Sequence, residues 1–178
     1  MPIAVVGLSH ETSSIALRER LAFVRSTVPQ ALCELSPQTQ GAGVVLLNTC
    51  NRMELYLHHE RIDAAHLCEQ AIHFLARWHG IGEDAFTHAA YTRQDKKVAS
   101  HLFSVAAGLR SLVIGETQIL GQVRSAYETA CETETADKVM HALFQKALAT
   151  AKKVHTQTGI ALANVSVSSV AVALAART

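Results

Sequence analysis

Residues 2–7 (Pro-Ile-Ala-Val-Val-Gly) and 42–47 (Ala-Gly-Val-Val-Leu-Leu) are short apolar runs, and the residues between them repeat their apolar positions at helical spacing. This change of period is the feature that most constrains the fold. Runs of strand length rich in branched side chains read as buried strands, and the helices between them have to cover the sheet those strands form. A third run, 53–57 (Met-Glu-Leu-Tyr-Leu), alternates and follows the second after a brief polar break, so it reads as a neighbouring strand with the break at the tip. Residues 86–92 read as a fourth strand.

The helical periods have recognisable ends. Ser13 or Ser14 caps a helix carrying Ile15, Leu17, Leu21 and Phe23, and Pro29 opens another with Ala31, Leu32 and Leu35. Residues 64–79 place Leu67, Ala71, Phe74, Leu75 and Trp78 on one face, with Gly80 and Gly82 as stops. From Lys96 onward strand signals fade and helical periods continue through Val98-Leu102-Val105, Ile119-Val123-Tyr127 and Val139-Leu143-Ala147. The expected class is α+β, an antiparallel sheet with helices on one face in a ferredoxin-like layer, followed by an all-helical part. The expected boundaries are 1–94 for the α+β part, 95–158 for the helical part and 159–178 for a linker helix, whose stretch 165–176 is rich in Ala, Val and Ser.

Composition narrows the class only where it is extreme, and here it is not. With 178 residues, 49% hydrophobic and 17% charged, the chain has room for one domain or two small ones with real cores. A net charge of +1 fits neither a polybasic nucleic-acid binder nor an acidic disordered tail. The N-terminus lacks the basic flank and long apolar run of a signal peptide, and no stretch approaches the roughly 18 apolar residues that span a bilayer. Cys33, Cys50, Cys68 and Cys131 show no C-x-x-C pairing, so no structural metal is expected, and reduced thiols in the cytoplasm are the simplest reading. Charge is uneven along the chain. Residues 138–178 carry Lys138, Lys146, Lys152, Lys153 and Arg177 without one acid, which reads either as a solvated helix face or as an RNA-phosphate contact near Lys146, Lys152 and Lys153.

The stretch Asn48-Thr49-Cys50-Asn51-Arg52 puts a thiol beside a cation at the end of an apolar strand, where functional groups are displayed. A nearby guanidinium favours the thiolate and hence a nucleophile, while an isolated cysteine is otherwise a small buried hydrophobe; both readings stand for Cys50. Among ten histidines, His101 stands on a helix leading into a Gly-rich polar segment, whereas His66, His73 and His79 lie along one helix without an i,i+4 pair. The segment 108–123 reads as a tight inter-helix turn. It holds no G-x-x-x-x-G-K-[ST], and no G-x-G-x-x-G follows a strand, so no nucleotide site is visible.

Together, Gly7-Leu8-Ser9-His10-Glu11-Thr12 with Leu17-Arg18-Glu19-Arg20, Thr49-Cys50-Asn51-Arg52 with Glu54 and Tyr56, the segment 108–123, and Leu143-Phe144-Gln145-Lys146-Ala147 with Ala151-Lys152-Lys153-Val154 resemble the N-terminal part of the glutamyl-tRNA reductase family over essentially the whole chain. The resemblance implies that Cys50 attacks the ester carbonyl of glutamyl-tRNA to give a thioester, which NADPH reduces to glutamate-1-semialdehyde in tetrapyrrole (porphyrin and haem) biosynthesis. It puts Thr49, Arg52, Ser111, Glu116 and Gln118 at glutamyl-holding positions and His101 beside the reacting carbon, as base or as positioning group. Arg52 suits the substrate carboxylate and Glu116 its α-ammonium group. The chain departs from the family pattern at Ser104, where a basic residue is common, at Arg110, where an acid is expected, and at Thr117, where proline is common.

The resemblance further implies a dinucleotide-binding domain after residues 165–169 and then a helical dimerisation domain. The expectation is therefore a piece of a longer homodimeric protein that works with glutamate-1-semialdehyde aminomutase. Alone, such a piece acts as a slow glutamyl-tRNA esterase. Two other readings remain: a non-catalytic tRNA-docking or regulatory module, and a cysteine hydrolase of Cys-His type.

Overall fold

The computed structural model describes residues 2–161. Its elements are β1 (Ile3–Ser9), α1 (Ile15–Arg20), α2 (Val28–Gln38), β2 (Gly43–Asn48), β3 (Arg52–His58), α3 (Ala64–His79), β4 (Tyr91–Gln94), α4 (Lys96–Ala106), α5 (Gln118–Glu132) and α6 (Lys138–Gln157). The strands form one sheet in the order β2-β3-β1-β4. Every neighbouring pair is antiparallel, with Val5 opposite Tyr56 and Gly7 opposite Glu54. Inserting β3 between β1 and β2 gives the split arrangement of the ferredoxin-like fold, and an all-helical part follows, as the change of period predicts.

All seven residues of β3 are buried, so both faces of the sheet are covered. Met53, Leu55 and Leu57 point to the face that α2 and α3 cover, while Arg52, Glu54, Tyr56 and His58 point the other way. Tyr56 meets Phe144 of α6 edge to face at 5.3 Å, and His58 pairs with Asp137, the N-cap of α6. The helical part thus folds back on the face that α2 and α3 leave open. The buried apolar cluster runs from Ala4 to Ala151 without a break at residue 94.

Local sequence explains most element ends. Ser14 caps α1 through Leu17 N–H, Pro29 sits in the first turn of α2, and α3 runs from its cap Asp63 to Gly80 in the left-handed region. The fourth strand differs from the expectation at 86–92, since it spans Tyr91–Gln94. Phe86 is fully buried at the end of a 3-10 turn over Glu83–Ala85, and the N–H groups of Phe86, Ala89 and Ala90 bond within turns, leaving none for a ladder. Likewise α1 stops at Arg20. Leu21 and Phe23 are buried beyond it, where the Asn48 amide donates to Phe23 C=O (2.7 Å) and accepts from Phe23 N–H (3.3 Å). A 3-10 turn covers Gly159–Ala161, and the helix expected at 165–176 lies outside the described residues.

Candidate active site

β2 and β3 are joined by a three-residue loop, Thr49-Cys50-Asn51, closed by Thr49 N–H on Arg52 C=O (2.8 Å). Tight hairpins usually draw on glycine at positive φ, but none of the three loop residues has positive φ. The Thr49 hydroxyl holds the loop, accepting from Asn51 N–H (3.2 Å) and Arg52 N–H (3.1 Å), and His10 N–H fixes the tip by donating to Asn51 C=O (2.9 Å). Cys50 is therefore presented at an exposed, constrained tip, with its thiol free.

Facing the tip is the loop between α4 and α5. Gly108 stands at φ +76, and its carbonyl accepts from Gly115 N–H (3.0 Å), so the loop closes on itself. Cys50 shares a small cavity of about 30 Å³ with Thr49, Asn51, Arg52, Ser111, Glu116 and Gln118. The structure thus brings together six of the seven residues assigned to the glutamyl site. His101 is the exception: it lines a neighbouring cleft, in contact with the layer behind Arg52.

That layer is a buried ionic network centred on Glu54, whose side chain is fully buried. Its Oε1 accepts from Arg52 (2.7 Å), from His101 Nε2 (2.9 Å) and from the Tyr91 hydroxyl, and its Oε2 accepts from the Tyr56 hydroxyl. Burial pushes the Glu54 carboxyl up, but the His101 hydrogen bond and charge, with Arg52 and Tyr56, outweigh it and bring the pKa down to about 2. Burial likewise opposes the Arg52 charge, and Glu54 outweighs it, leaving the guanidinium pKa raised. Tyr91 and Tyr56 are raised by burial and by the Glu54 charge, so both remain hydroxyl donors. Arg52 also donates to the backbone carbonyl of Arg110, tying the sheet to the loop that carries Ser111.

Glu54, Tyr56 and Tyr91 were not singled out as site residues. The signal was present: Arg52, Glu54 and Tyr56 at i, i+2 and i+4 on a strand share one face, and a charged pair on a buried face demands partners. Lys146, Lys152 and Lys153 are exposed on α6, and none of them lines the Cys50 cavity.

Residues 6–158 match the family model described as glutamyl-tRNAGlu reductase, N-terminal domain. The chain belongs to this family. It is 42% identical over 175 residues to a curated relative named glutamyl-tRNA reductase from Pelotomaculum thermopropionicum, covering 98% of this chain and 39% of that protein. Among solved structures it is similar to glutamyl-tRNA reductase from Methanopyrus kandleri, with a TM-score of 0.74 and 31% identity, again over 98% of this chain and 39% of that one. The chain therefore spans about two fifths of the length of these reductases.

Proposed function

We propose that this domain carries the acyl-transfer half of the glutamyl-tRNA reductase reaction. The Cys50 sulfur attacks the ester carbonyl of glutamyl-tRNA, the carbon–oxygen bond to the terminal ribose breaks, the thiol proton ends on the released hydroxyl, and the glutamyl group remains on sulfur as a thioester. The observation that carries this reading is the shared cavity in which an exposed thiol at a constrained tip faces Arg52, Ser111, Glu116 and Gln118. Two Arg52 N–H groups are engaged by Glu54 and the Arg110 carbonyl, which leaves donors on the same guanidinium for the substrate carboxylate. Glu116 takes the α-ammonium group, and Gln118 and Ser111 complete the polar wall. Thr49 acts by shaping the loop, since its hydroxyl is occupied by backbone groups. A cavity of about 30 Å³ holds a water or two, so the loop 109–117 moves outward when the glutamyl group enters.

His101 Nε2 donates to Glu54, because the ionised carboxylate can only accept. This supports a positioning role through Glu54 and Arg52. Reduction needs a hydride, which NADPH supplies in our reading. The described residues do not fit that cofactor: the strands are all antiparallel, and no Gly-rich turn leads from a strand into a helix. In our reading NADPH, the homodimer and the aminomutase partner belong to the longer protein, in tetrapyrrole biosynthesis, with 1–94 supplying the cysteine loop, 95–158 closing the glutamyl site and 159–178 leading toward the NADPH-binding part. Free thiols fit a reducing cytoplasm.

The test is intact-protein mass after mixing with glutamyl-tRNA, together with release of free glutamate by the esterase side reaction, for wild type and Cys50→Ser. A glutamyl adduct on the wild type that Cys50→Ser lacks is the expected result. A folded wild type that binds the tRNA but shows neither adduct nor release would overturn the assignment in favour of a docking module.

A further inference from the structure

The cleft beside the Cys50 cavity is lined by Arg93, Lys96, Lys97, Ser100, His101, Ser104 and Arg110, and holds about 270 Å³. We propose that this cleft binds the backbone phosphates of the acceptor end of the tRNA, which places the tRNA footprint on α4 and not on the lysines of α6. The proposal rests on the reading of the substrate as a glutamyl ester of tRNA.

Three independent features point to an anionic ligand. First, the charge is concentrated and uncompensated. Lys96 and Lys97 open α4, Arg93 is the third residue of β4, and none of the three is ion-paired to a carboxylate among the described residues; Arg110 alone is, to Glu11 at 2.9 Å. Second, the cations do not stand alone. Lys96, Ser100 and Ser104 form one row of α4 and Lys97 and His101 the next, so hydroxyls lie below the lysines on the same helical face. The N-cap Asp95 makes no side-chain capping bond, and in the first turn Val98 N–H is held by the Asp95 carbonyl (2.9 Å). Third, His101 is more than nine-tenths buried, and among the described residues its Nδ1 has no hydrogen-bond partner. A buried ring nitrogen without a partner beside a basic cleft calls for a hydrogen-bonding group, which a ligand hydroxyl such as that of a ribose supplies.

The position suits such a ligand. Arg110 lines the cleft with its side chain, while its carbonyl holds Arg52 and the next residue, Ser111, lines the Cys50 cavity. An ester carbonyl at Cys50 carries its ribose and the first phosphates with it, and a short step along the chain brings them to the cleft. The lysines of α6 have no comparable link to the cavity, and they stand on an open helix face.

The test measures the affinity of the chain for uncharged tRNA specific for glutamate against KCl concentration. Wild type, Lys96→Gln/Lys97→Gln, Arg93→Gln and the triple Lys146→Gln/Lys152→Gln/Lys153→Gln are compared, with circular dichroism to verify folding. Each lost contact to a single-stranded phosphate lowers the steepness of log K against log salt by about 0.7. The α4 double variant is expected to lose about 1.4 in slope and about tenfold or more in affinity at low salt. An unchanged slope in the α4 variants, a loss confined to the α6 triple, or a wild type that does not bind tRNA at low salt would each overturn the proposal. Failure of the Cys50 chemistry is read separately, in the adduct assay, and leaves the binding result standing.

Discussion

Replacing Glu54 by glutamine keeps the size of the side chain and removes the charge on which Arg52, His101, Tyr56 and Tyr91 converge. The carboxyl is fully buried, and its pKa falls from an ordinary 4.5 to about 2. A difference of this size corresponds to about 3 kcal/mol of folding free energy. The sign follows from the depressed value: the contribution is complete above about pH 4.5 and is lost as pH falls from there toward 2. In the variant, Arg52 is left buried without its counter-ion, a change that typically costs about 3–5 kcal/mol, and the new amide N–H groups face four donors. Glu54→Gln is therefore expected to be less stable than wild type by about 3 kcal/mol at pH 7, with the gap closing as both are acidified toward pH 2. Urea unfolding followed by the fluorescence of the lone Trp78 and by far-UV circular dichroism at pH 7, 4 and 3 measures this. Other carboxylates titrate in both proteins and cancel in the difference. A gap below about 1 kcal/mol at pH 7, or one that does not narrow on acidification, refutes the network as a source of stability.

Two further outcomes test the surroundings of the network. A methyl group on Gly7 would stand 2.8 Å from Glu54 Cγ and 2.9 Å from the Met53 carbonyl, and the latter is backbone that cannot yield; Gly7→Ala is thus expected to lose about 1–3 kcal/mol in denaturant unfolding and to form the Cys50 adduct poorly. Alkylation with iodoacetamide at pH 8, read by peptide mass, should modify the exposed Cys33 and Cys50 before Cys68, whose thiol burial pushes up to about 11; early modification of Cys68 contradicts the packing of α3 on the sheet.

What the sequence made legible follows periodicity and punctuation. Strands β1 to β3 and helices α1 to α6 announce themselves by period and by caps such as Ser14, Pro29 and Gly80. The fourth strand was harder to place because Phe86 and Ala89 are apolar for packing reasons while their backbone groups bond within turns. Cys50 was legible as a thiol at a strand end beside a cation. Arg52, however, is also bound by Glu54 and the Arg110 carbonyl, and a partner 58 residues distant leaves no local mark. The role of Thr49 was hidden for the opposite reason. Its bonds are local, but a hydroxyl that shapes a turn and one that holds a substrate look alike in sequence.

The Glu54 network also explains why the cysteine loop and the loop opposite it act as one site although their residues lie far apart in the chain. Two of the four donors to Glu54 come from β3 itself, one from β4 and one from α4. Arg52 adds a fifth link, to the carbonyl just before Ser111. The His101 donor reaches Glu54 only when α4 lies on the face of the sheet that α2 and α3 leave open, and the buried charge favours that packing because it is more costly without its partners. The sheet alone would leave Glu54 and Arg52 facing water, and the helices alone would leave His101 and the loop 108–117 without a floor. The pattern in the sequence changes at residue 94, but the chemistry is built across that point. The ion pair on one strand sets the register between Cys50, in the loop after β2, and Ser111, Glu116 and Gln118, beyond α4.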